Sequence, residues 1–383
     1  MNSRKTMIAL AGALLLAASP VRAAVIMTCD GVPIRWPSSS VHFRASAKGF
    51  ATSSQKSDLL DIFSIFEENP SRYDLSLTYD DTSIALSNSQ NEIFFSKSSF
   101  DTTPERIGVT VSVDDCYGVS PGPDLLETDV LFNAKISWQR SPHAPASKVK
   151  GYGGPGTVEY LPTVALHELG HAAGLQHEAD EYNIMGAGNH EHSNGGIGWS
   201  PPWVRTYLGE DASWGITNHL GYGQRTGSYE DVAVTHLERR GKLKVDGQLP
   251  YSTHRFMKPY FDSEKTSGPE AENGHWLIDG GQHVFVAFGL ENLGKSTQTV
   301  GLKWFLSTNP LITTLDRMIG TGSMTLALGT VDYPMVELII PEVDEPTEYW
   351  LGIVIDPTNA LSENFESNNA TYLQKPLLVS PAN

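Results

Sequence analysis

Three histidines and one glutamate fall within eleven residues of this 383-residue chain. His167 and His171 are four residues apart, so on a helix their side chains lie on one face, about one turn apart. Two imidazoles placed in this way can bind one zinc ion through nitrogens at about 2.0–2.1 Å. Glu168 directly follows the first histidine, which is the usual position of the general base in such a motif. The segment therefore predicts a metal-binding helix that carries out hydrolytic chemistry.

A glycine after this helix allows a third histidine to reach the same ion. Gly174 can adopt the positive φ that ends a helix and reverses the chain. The reversal lets His177, ten residues after His167, approach as a third ligand. Three nitrogen ligands leave a fourth position for water, which is typical of a catalytic zinc site. We therefore expect zinc bound by three histidines. Further along, His190 and His192 are either additional ligands or surface histidines in a glycine-rich loop.

A methionine stands eight residues after the third histidine, in the sequence Asn183-Ile184-Met185-Gly186. Together with the histidine motif, this methionine resembles the Met-turn of the metzincin clan of zinc metallopeptidases. The resemblance implies that His167, His171 and His177 are ligands, that Glu168 is the base, and that Met185 is a buried support under the site. It also implies an α+β fold class, with a zincin catalytic domain of the matrixin type in which about three helices pack on a twisted mixed sheet.

The composition limits the classes of partner. The formal net charge is −17, so nucleic acid and anionic membrane surfaces are poor candidates. The chain is 40% hydrophobic and 19% charged, which is ordinary for a globular protein, and its length is sufficient for two domains. We expect a protein or peptide substrate instead. The oligomeric state does not follow from the sequence.

The amino terminus has the pattern of a signal peptide over residues 1–23. Arg4 and Lys5 precede an apolar run at residues 7–18, and Val21-Arg22-Ala23 offers small residues for cleavage. The run is too short to be a comfortable membrane span. The mature protein is therefore expected to be secreted, to the periplasm or the extracellular space, without a membrane span.

The two cysteines have two interpretations. An even pair in an exported chain usually forms a disulfide, here Cys29–Cys116. Alternatively, the sequence Cys29-Asp30-Gly31-Val32-Pro33 resembles the cysteine switch that keeps matrix metalloproteases latent. It begins only a few residues after the predicted cleavage point, so the disulfide is the favoured interpretation.

Upstream of the motif, apolar periodicity predicts one helix among strands. Apolar residues at i, i+3, i+4 and i+7 indicate a helix that ends before Pro70; they are Leu59, Ile62, Phe63 and Phe66. Alternating or apolar segments predict strands at residues 41–44, 73–79, 107–113 and 127–138. A strand, a helix and further strands form the order expected of an α+β domain.

The second part of the chain predicts a different architecture. Short apolar segments separated by Gly, Pro and Asn turns indicate a β-sandwich over residues 225–383, after a catalytic domain at residues 24–224. Residues 208–223 resemble the terminal helix of matrixin-like domains, and a later domain end, with a helix at 229–237, stays open.

Two parts of this second region resemble the bacterial cell-adhesion-related (CARDB-like) immunoglobulin-like domain, namely residues 289–294 and 356–369. The acidic loop in the latter contains Glu363, Glu366, Asn368 and Asn369. These side chains either form solvated turns or bind calcium as a second metal.

Three functions are compatible with these features. The first is an exported zinc endopeptidase, in which a metal-activated water attacks the peptide bond and Glu168 takes its proton. The second is an inactive zincin that acts as a secreted binding or adhesion protein through its β-sandwich. The third is a zinc hydrolase that acts on a substrate other than a peptide. The intact Glu168 favours the enzyme, because a protein that only binds has no chemical need for this base.

Overall fold

A computed structural model describes residues 24–382 except 84, 105, 117–121, 142–149, 152–153, 156–157, 178–183, 187–191, 195–203, 226–229 and 244–250. The predicted signal peptide, residues 1–23, lies outside the described residues, as does His190. Three α-helices are present in the described part of the chain: α1 (Ser53–Glu67), α2 (Leu161–Ala173) and α3 (Glu210–Trp214), the last continuing as a π-helical turn over Gly215–His219.

Strands make up most of the described secondary structure. Those before residue 207 are β1 (Thr28–Cys29), β2 (Val32–Pro33), β3 (Ser40–Ser46), β4 (Asp74–Asp81), β5 (Glu92–Ser96), β6 (Gly108–Asp115), β7 (Asp124–Asn133), β8 (Trp138–Gln139), β9 (Lys150–Gly151), β10 (Gly154–Pro155), β11 (Glu159–Tyr160), β12 (His192–Asn194) and β13 (Val204–Thr206).

The later strands are β14 (Val232–Thr235), β15 (Leu237–Leu243), β16 (Tyr251–Phe256), β17 (Ala271–Glu272), β18 (His275–Asp279), β19 (His283–Ala287), β20 (Gly289–Asn292), β21 (Gln298–Ser307), β22 (Arg317–Leu326), β23 (Thr330–Asp332), β24 (Met335–Ile339), β25 (Thr347–Ile355), β26 (Ala370–Tyr372) and β27 (Leu377–Ser380).

A five-stranded sheet in the order β4-β3-β5-β7-β6 supports the motif helix. The first four strands are parallel, and β6 pairs with β7 in the antiparallel direction at one edge. Helix α2 packs against β6, β7 and α1. Helix α1 begins with a capping box between Thr52 and Gln55 and buries the predicted apolar face, so the predicted helix is confirmed. The strands predicted within residues 41–133 are also confirmed, with shifts of a few residues at their ends.

The amino-terminal segment is bound to the rest of the chain in two places. Cys29 and Cys116 form a disulfide with their Cα atoms 5.6 Å apart, within the usual range. Ile26 forms an antiparallel bridge with Leu175, immediately after the end of α2. The start of the described chain is therefore fixed next to the motif.

The described residues from Val232 onwards form four sheets. The largest has seven strands: β17, β18, β27, β25, β21 and β22 form its path, and β26 pairs with β25. The other three are the β14-β20-β23, β15-β16 and β19-β24 sheets. A hydrophobic cluster that includes Trp304, Phe288 and Leu351 is buried here. Short strands separated by turns are present here, as the Gly, Pro and Asn punctuation predicted.

The predicted α+β fold class is wrong. Among the described residues, 27 strands accompany only three α-helices, and the strands are divided among nine sheets, so the protein is mostly β. A zincin plan of helices on one sheet followed by a single sandwich does not describe this arrangement. The reason is local: helical periodicity is confined to α1 and α2, and most other apolar segments are short and bounded by turn residues. The alternative prediction of a helix at residues 229–237 is also wrong, because β14 occupies Val232–Thr235.

Two large hydrophobic clusters are separate along the sequence. One extends from Ala24 to Leu220 and the other from Val232 to Val379. The predicted domain boundary at 224/225 falls between them and stays a prediction. Within the described part of the chain, no helix combines the length and the apolar character that crossing a membrane requires.

Candidate metal centre

Helix α2 presents two of the three predicted histidines. Pro162 lies in its first turn, where the missing N–H has no helical partner to lose. Almost the whole helix is buried, including Val164, Leu166 and Leu169. Because the helix is fixed by this packing, His167 and His171 are held one turn apart on the same side.

The chain reversal after α2 brings in the third histidine. Gly174 has φ 107° and ψ 9°, and its N–H caps the carbonyls of Gly170 and His171. An L residue other than glycine would be strained there. The N–H of Gln176 then donates to the carbonyl of Val25 at 2.7 Å. The amino-terminal segment therefore fixes the direction of the chain that leads to His177.

The three imidazoles converge on one point. The Nε2 atom of His167 lies 3.1 Å from that of His171 and 3.2 Å from that of His177. The Nε2 atoms of His171 and His177 are 3.1 Å apart. In a tetrahedral zinc site with bonds of 2.0–2.1 Å, ligand nitrogens are about 3.3–3.4 Å apart. The triangle therefore has nearly the size that one ion requires.

Hydrogen bonds at the opposite ring nitrogens set the protonation of two imidazoles. The Nδ1 atom of His167 lies 2.7 Å from the carbonyl oxygen of Ile184, and that of His171 lies 2.8 Å from the carbonyl oxygen of Leu175. A carbonyl only accepts, so each Nδ1 carries the proton and each neutral Nε2 carries a lone pair. Two such lone pairs cannot hydrogen-bond to each other, whereas a cation between them satisfies both.

Burial also favours the neutral form of one ligand. It lowers the pKa of His171, and the hydrogen bond to the Leu175 carbonyl acts in the opposite direction. A neutral imidazole at neutral pH is the form that binds a metal. The three histidines could thus hold one metal ion, and their donor set of three nitrogens fits the metal that the sequence implied.

Glu168 lies on the same helix and is almost fully buried. The hydroxyl of Thr110, on β6, donates to its Oε2 atom at 2.7 Å and is also 2.9 Å from its carbonyl oxygen. Burial raises the pKa of Glu168 to about 7, while the Thr110 hydroxyl and the charge of Arg106 oppose this shift. A carboxyl group with such a pKa can both accept and return a proton near neutral pH.

Two glycines leave room for the side chains of Glu168 and Met185 beside α2. A Cβ atom at Gly108 would lie 2.7 Å from Oε1 of Glu168 and 2.9 Å from Cγ1 of Val164. A Cβ atom at Gly170 would lie 2.4 Å from the sulfur of Met185, which is fully buried beside the helix. The motif glycine therefore allows the methionine to approach α2 closely.

Sequence reasoning missed Thr110, Gly108 and the role of Gly170. Residues 107–113 were predicted as a strand, but nothing local indicated that this strand lies along α2. Gly170 stands inside the motif between Glu168 and His171, but the sequence alone gives no physical reason for a small residue at this position. The contact with Met185 supplies that reason.

The remaining candidate residues are placed elsewhere. Cys29 and Cys116 lie near Asp114, but their sulfurs are bonded to each other and are not available as ligands. The backbone of His192 is in β12, and its side chain lies outside the described residues.

The acidic loop near the carboxyl terminus is held together by its own hydrogen bonds. Asn369 donates to Glu363 at 2.6 Å and to Glu366 at 3.1 Å. Glu363 also accepts from the backbone N–H of Val232 at 2.7 Å. The described contacts of Glu363 thus brace the loop against β14.

Comparisons with known proteins give structural similarity only. No family model matches the chain, and no curated protein matches it. Similar solved structures include a CARDB domain from Pyrococcus furiosus, crystallised in complex with di-metal ions, at 10% identity and a TM-score of 0.25; the match covers 41% of this chain and 100% of that chain.

Other similar structures are the C-terminal domain of wzt (9% identity, TM-score 0.21, 42% of this chain and 81% of that one) and a β-glucosidase from Listeria innocua (12% identity, TM-score 0.19, 40% and 22%). At these TM-scores the similarities carry no argument about function.

Proposed function

We propose that this protein is an exported, zinc-dependent endopeptidase. The observation that carries the proposal is the convergence of three Nε2 atoms within 3.1–3.2 Å of one another, with Glu168 on the same helix. Imidazole ligands suit zinc, copper, iron and nickel, and a set of three protein ligands with a fourth position for water is typical of catalytic zinc. Zinc held there would acidify water and polarise a carbonyl group.

Glu168 is proposed as the general base and then the general acid. It does not belong to the converging nitrogen set, so its carboxylate is free to handle protons instead of binding the metal. The hydroxyl of Thr110, on β6, donates a hydrogen bond to Oε2 and so fixes the orientation of the carboxylate. The hydroxyl itself carries no positive charge. Proton transfer by a side chain positioned in this way is typically worth about 10²–10⁴ in rate.

A peptide substrate is proposed from the motif. The motif His-Glu-Leu-Gly-His, with the third histidine and Met185, resembles that of metzincin peptidases, and Met185 is buried against the helix as the resemblance implied. The part of the proposal that depends on this resemblance is the substrate class, whereas metal-assisted hydrolysis depends on the geometry alone.

The proposed location is outside the cytoplasm, in the periplasm or the extracellular space. The signal-peptide pattern at residues 1–23 supports export. The disulfide between Cys29 and Cys116 also supports an oxidising compartment, because cytoplasmic thiols are normally kept reduced.

Replacing Glu168 by glutamine tests the chemistry. The mature wild-type protein and the variant are compared on casein and on a broad peptide library, with zinc content measured on the same samples. Glu168→Gln nearly preserves shape but cannot accept the proton. We expect unchanged zinc content and activity lower by at least about two orders of magnitude. Glu272→Gln, an exposed substitution on β17, is the matched control and is expected to retain full activity.

Two outcomes contradict the proposal. If zinc-loaded wild-type protein cleaves no peptide in the library, the inactive binding protein becomes the better hypothesis. If Glu168→Gln cleaves as fast as wild type, then Glu168 is not the base.

A further inference from the structure

The start of the described chain folds into a hairpin against the end of α2. This hairpin, residues 24–36, is called the amino-terminal strap here. Its arms contain β1 and β2, and the N–H of Ile34 extends their pairing by donating to the carbonyl of Met27 at 2.9 Å. The indole N–H of Trp36 donates to the carbonyl of Ala172, in the last turn of α2, at 2.7 Å. Carbonyl groups in that turn have no partner within the helix, so the strap caps it.

The strap also holds the short connection between α2 and the third histidine. Only residues 174–176 separate the end of the helix from His177. The N–H of Met27 donates to the carbonyl of Gly174 at 2.8 Å, and the N–H of Gln176 donates to the carbonyl of Val25 at 2.7 Å. The residues on both sides of the connection are therefore bonded to the strap, which limits where His177 can lie.

The middle residue of this connection links the strap to a second ligand. Leu175 forms an antiparallel bridge with Ile26 of the strap. The carbonyl oxygen of Leu175 also accepts from Nδ1 of His171 at 2.8 Å, which orients that imidazole. A displacement of the strap therefore affects the orientation of His171 as well as the approach of His177.

The disulfide fastens the strap to the strand on the other side of α2. Cys29 lies on β1, and Cys116 directly follows β6, the strand whose Thr110 binds Glu168. The bridge joins residues 87 positions apart, so it keeps the strap near β6 where hydrogen bonds alone would let it separate. Both cysteines are partly exposed, so a reductant can reach their sulfurs.

We propose that the strap is a redox-controlled positioning element of the metal centre, which holds zinc tightly only while Cys29 and Cys116 are bonded to each other. The inference rests on the proposed zinc site but not on its peptidase chemistry. A dithiol reductant supplies the two electrons. One of its thiolates attacks a sulfur of the bridge, and its second thiol then displaces the resulting mixed disulfide. The dithiol becomes a disulfide, and its two protons go to the two cysteines.

Reduction leaves the strap attached only by hydrogen bonds and packing. The strap then separates from α2 more often, and the connection to His177 loses its partners. Cytoplasmic thiols are kept reduced, whereas the bridge forms outside the cytoplasm. The same chain would therefore bind zinc weakly before export and tightly after it, which prevents the proposed peptidase from acting inside the cell.

Zinc affinity of the mature protein tests the inference without any peptide substrate. Competition with a chromophoric chelator measures it for oxidised wild-type protein, for wild type reduced by a dithiol that is then removed without air, and for Cys29→Ser/Cys116→Ser. We expect binding at least about tenfold weaker in the last two samples, because partners beyond the ligands typically change metal affinity by about 10- to 100-fold. Prior treatment with the dithiol should not weaken the double variant further.

A matched pair of variants tests the strap with the bridge intact. Met27→Pro removes the N–H that donates to Gly174, whereas Met27→Leu keeps it. Only Met27→Pro should weaken zinc binding. Amide hydrogen exchange of the metal-free protein is a second readout, which needs no zinc. The N–H of Gln176 should exchange at least about tenfold faster in reduced protein, because its bond to Val25 opens more often.

Ile62→Val is the control for a general loss of stability. Ile62 is fully buried on α1, and this variant should keep the zinc affinity of wild type. The inference is overturned if oxidised and reduced protein bind zinc equally tightly, if Gln176 exchanges equally fast in both, or if Ile62→Val weakens binding as much as loss of the bridge. Oxidised wild-type protein that binds no zinc would overturn the metal centre together with this inference. A protein that binds zinc in the expected way but cleaves no peptide would support the inference and contradict only the peptidase.

Discussion

The side chains of the metal centre are oriented from behind by groups that sequence motifs do not show. Carbonyl oxygens of Ile184 and Leu175 fix the tautomers of His167 and His171. Such partners beyond the ligands typically change metal affinity or activity by about 10- to 100-fold when removed. At the scale of single residues, the motif predicted which histidine nitrogens converge, and the structure shows the hydrogen bonds that orient the rings.

Thr110 is expected to act as a positioning residue for Glu168. Thr110→Val removes the hydroxyl that donates to Oε2 at 2.7 Å while keeping the size of the side chain. A hydrogen bond to a charged group is worth about 1.5–3 kcal/mol, so we expect kcat to fall about 10- to 100-fold with little change in KM. Steady-state kinetics on one cleavable peptide measures both constants, and Thr110→Ser should restore most of kcat.

Ser112→Ala is the control for this prediction. Ser112 lies on the same strand, and its buried hydroxyl has no hydrogen-bond partner among the residues that the structure describes, so its removal should leave kcat unchanged. If Thr110→Val and Ser112→Ala behave alike, Thr110 does not orient the base.

A buried carboxyl group on β7, that of Asp129, makes the stability of the metal-free protein depend on pH. Burial, together with the charges of Glu127 and Glu92, raises the pKa of Asp129 to about 7. In the unfolded chain this pKa is about 3.9. The protonated form is therefore favoured by folding, so its contribution to stability is complete below about pH 4 and is lost as the pH rises through about 7. We expect the free energy of unfolding to fall over this interval, and to fall less in Asp129→Asn.

Urea unfolding of metal-free protein at a series of pH values measures this dependence. Asp344→Asn changes an exposed aspartate and should leave the wild-type profile intact. Parallel profiles for wild type and Asp129→Asn would show that the protonation of Asp129 is not coupled to folding in this way.

At the scale of elements, the local sequence predicted the features that neighbouring residues determine, namely a helix, several strands and a chain reversal. The i, i+3, i+4, i+7 pattern located α1, and alternation located β3, β4 and β6, because burial of one face determines both periods. An apolar run located β7, which is buried along most of its length. Gly174 was predicted to reverse the chain, since few other residues accept φ 107°. The pairing of Ile26 with Leu175 was not predictable, because nothing in either segment identifies its partner.

The contact between α2 and Met185 gives a prediction at this scale. Gly170→Ala should increase helix propensity by about 1 kcal/mol but places a Cβ atom 2.4 Å from the sulfur of Met185. Overpacking of a core typically costs about 1–3 kcal/mol, so the net effect is expected to be destabilising. Urea unfolding of the metal-free protein measures the loss in the free energy of unfolding.

A double-mutant cycle separates the two effects. In a Met185→Ala background the new methyl group has room, so Gly170→Ala should then be neutral or stabilising. If Gly170→Ala lowers the free energy of unfolding equally in both backgrounds, the contact with Met185 is not the reason for the glycine.

At the scale of the whole molecule, the sequence was least informative. The α+β expectation came from the order of the predicted strands and helix before the motif and from a resemblance carried by the histidine motif and Met185. Neither determines the other sheets. Sheet membership depends on which strands meet across long separations, as for Trp276 of β18 and Leu377 of β27. The alternation within each strand predicts its existence but contains little information about its partner.

A glycine late in the chain lies against a tryptophan of α3, which gives the last prediction. Gly329 has φ +63°, and a Cβ atom there would lie 2.8 Å from the ring of Trp214, the last residue of α3. Gly329→Ala therefore adds a collision to the cost of a left-handed backbone, which is roughly 1–2 kcal/mol for alanine. Gly274→Ala is the matched control, because Gly274 has φ +88° with no atom within 4 Å of the added Cβ. Both variants should lose stability, but only Gly329→Ala should change the fluorescence of Trp214. Equal losses with unchanged fluorescence would mean that the halves do not pack through this contact in solution.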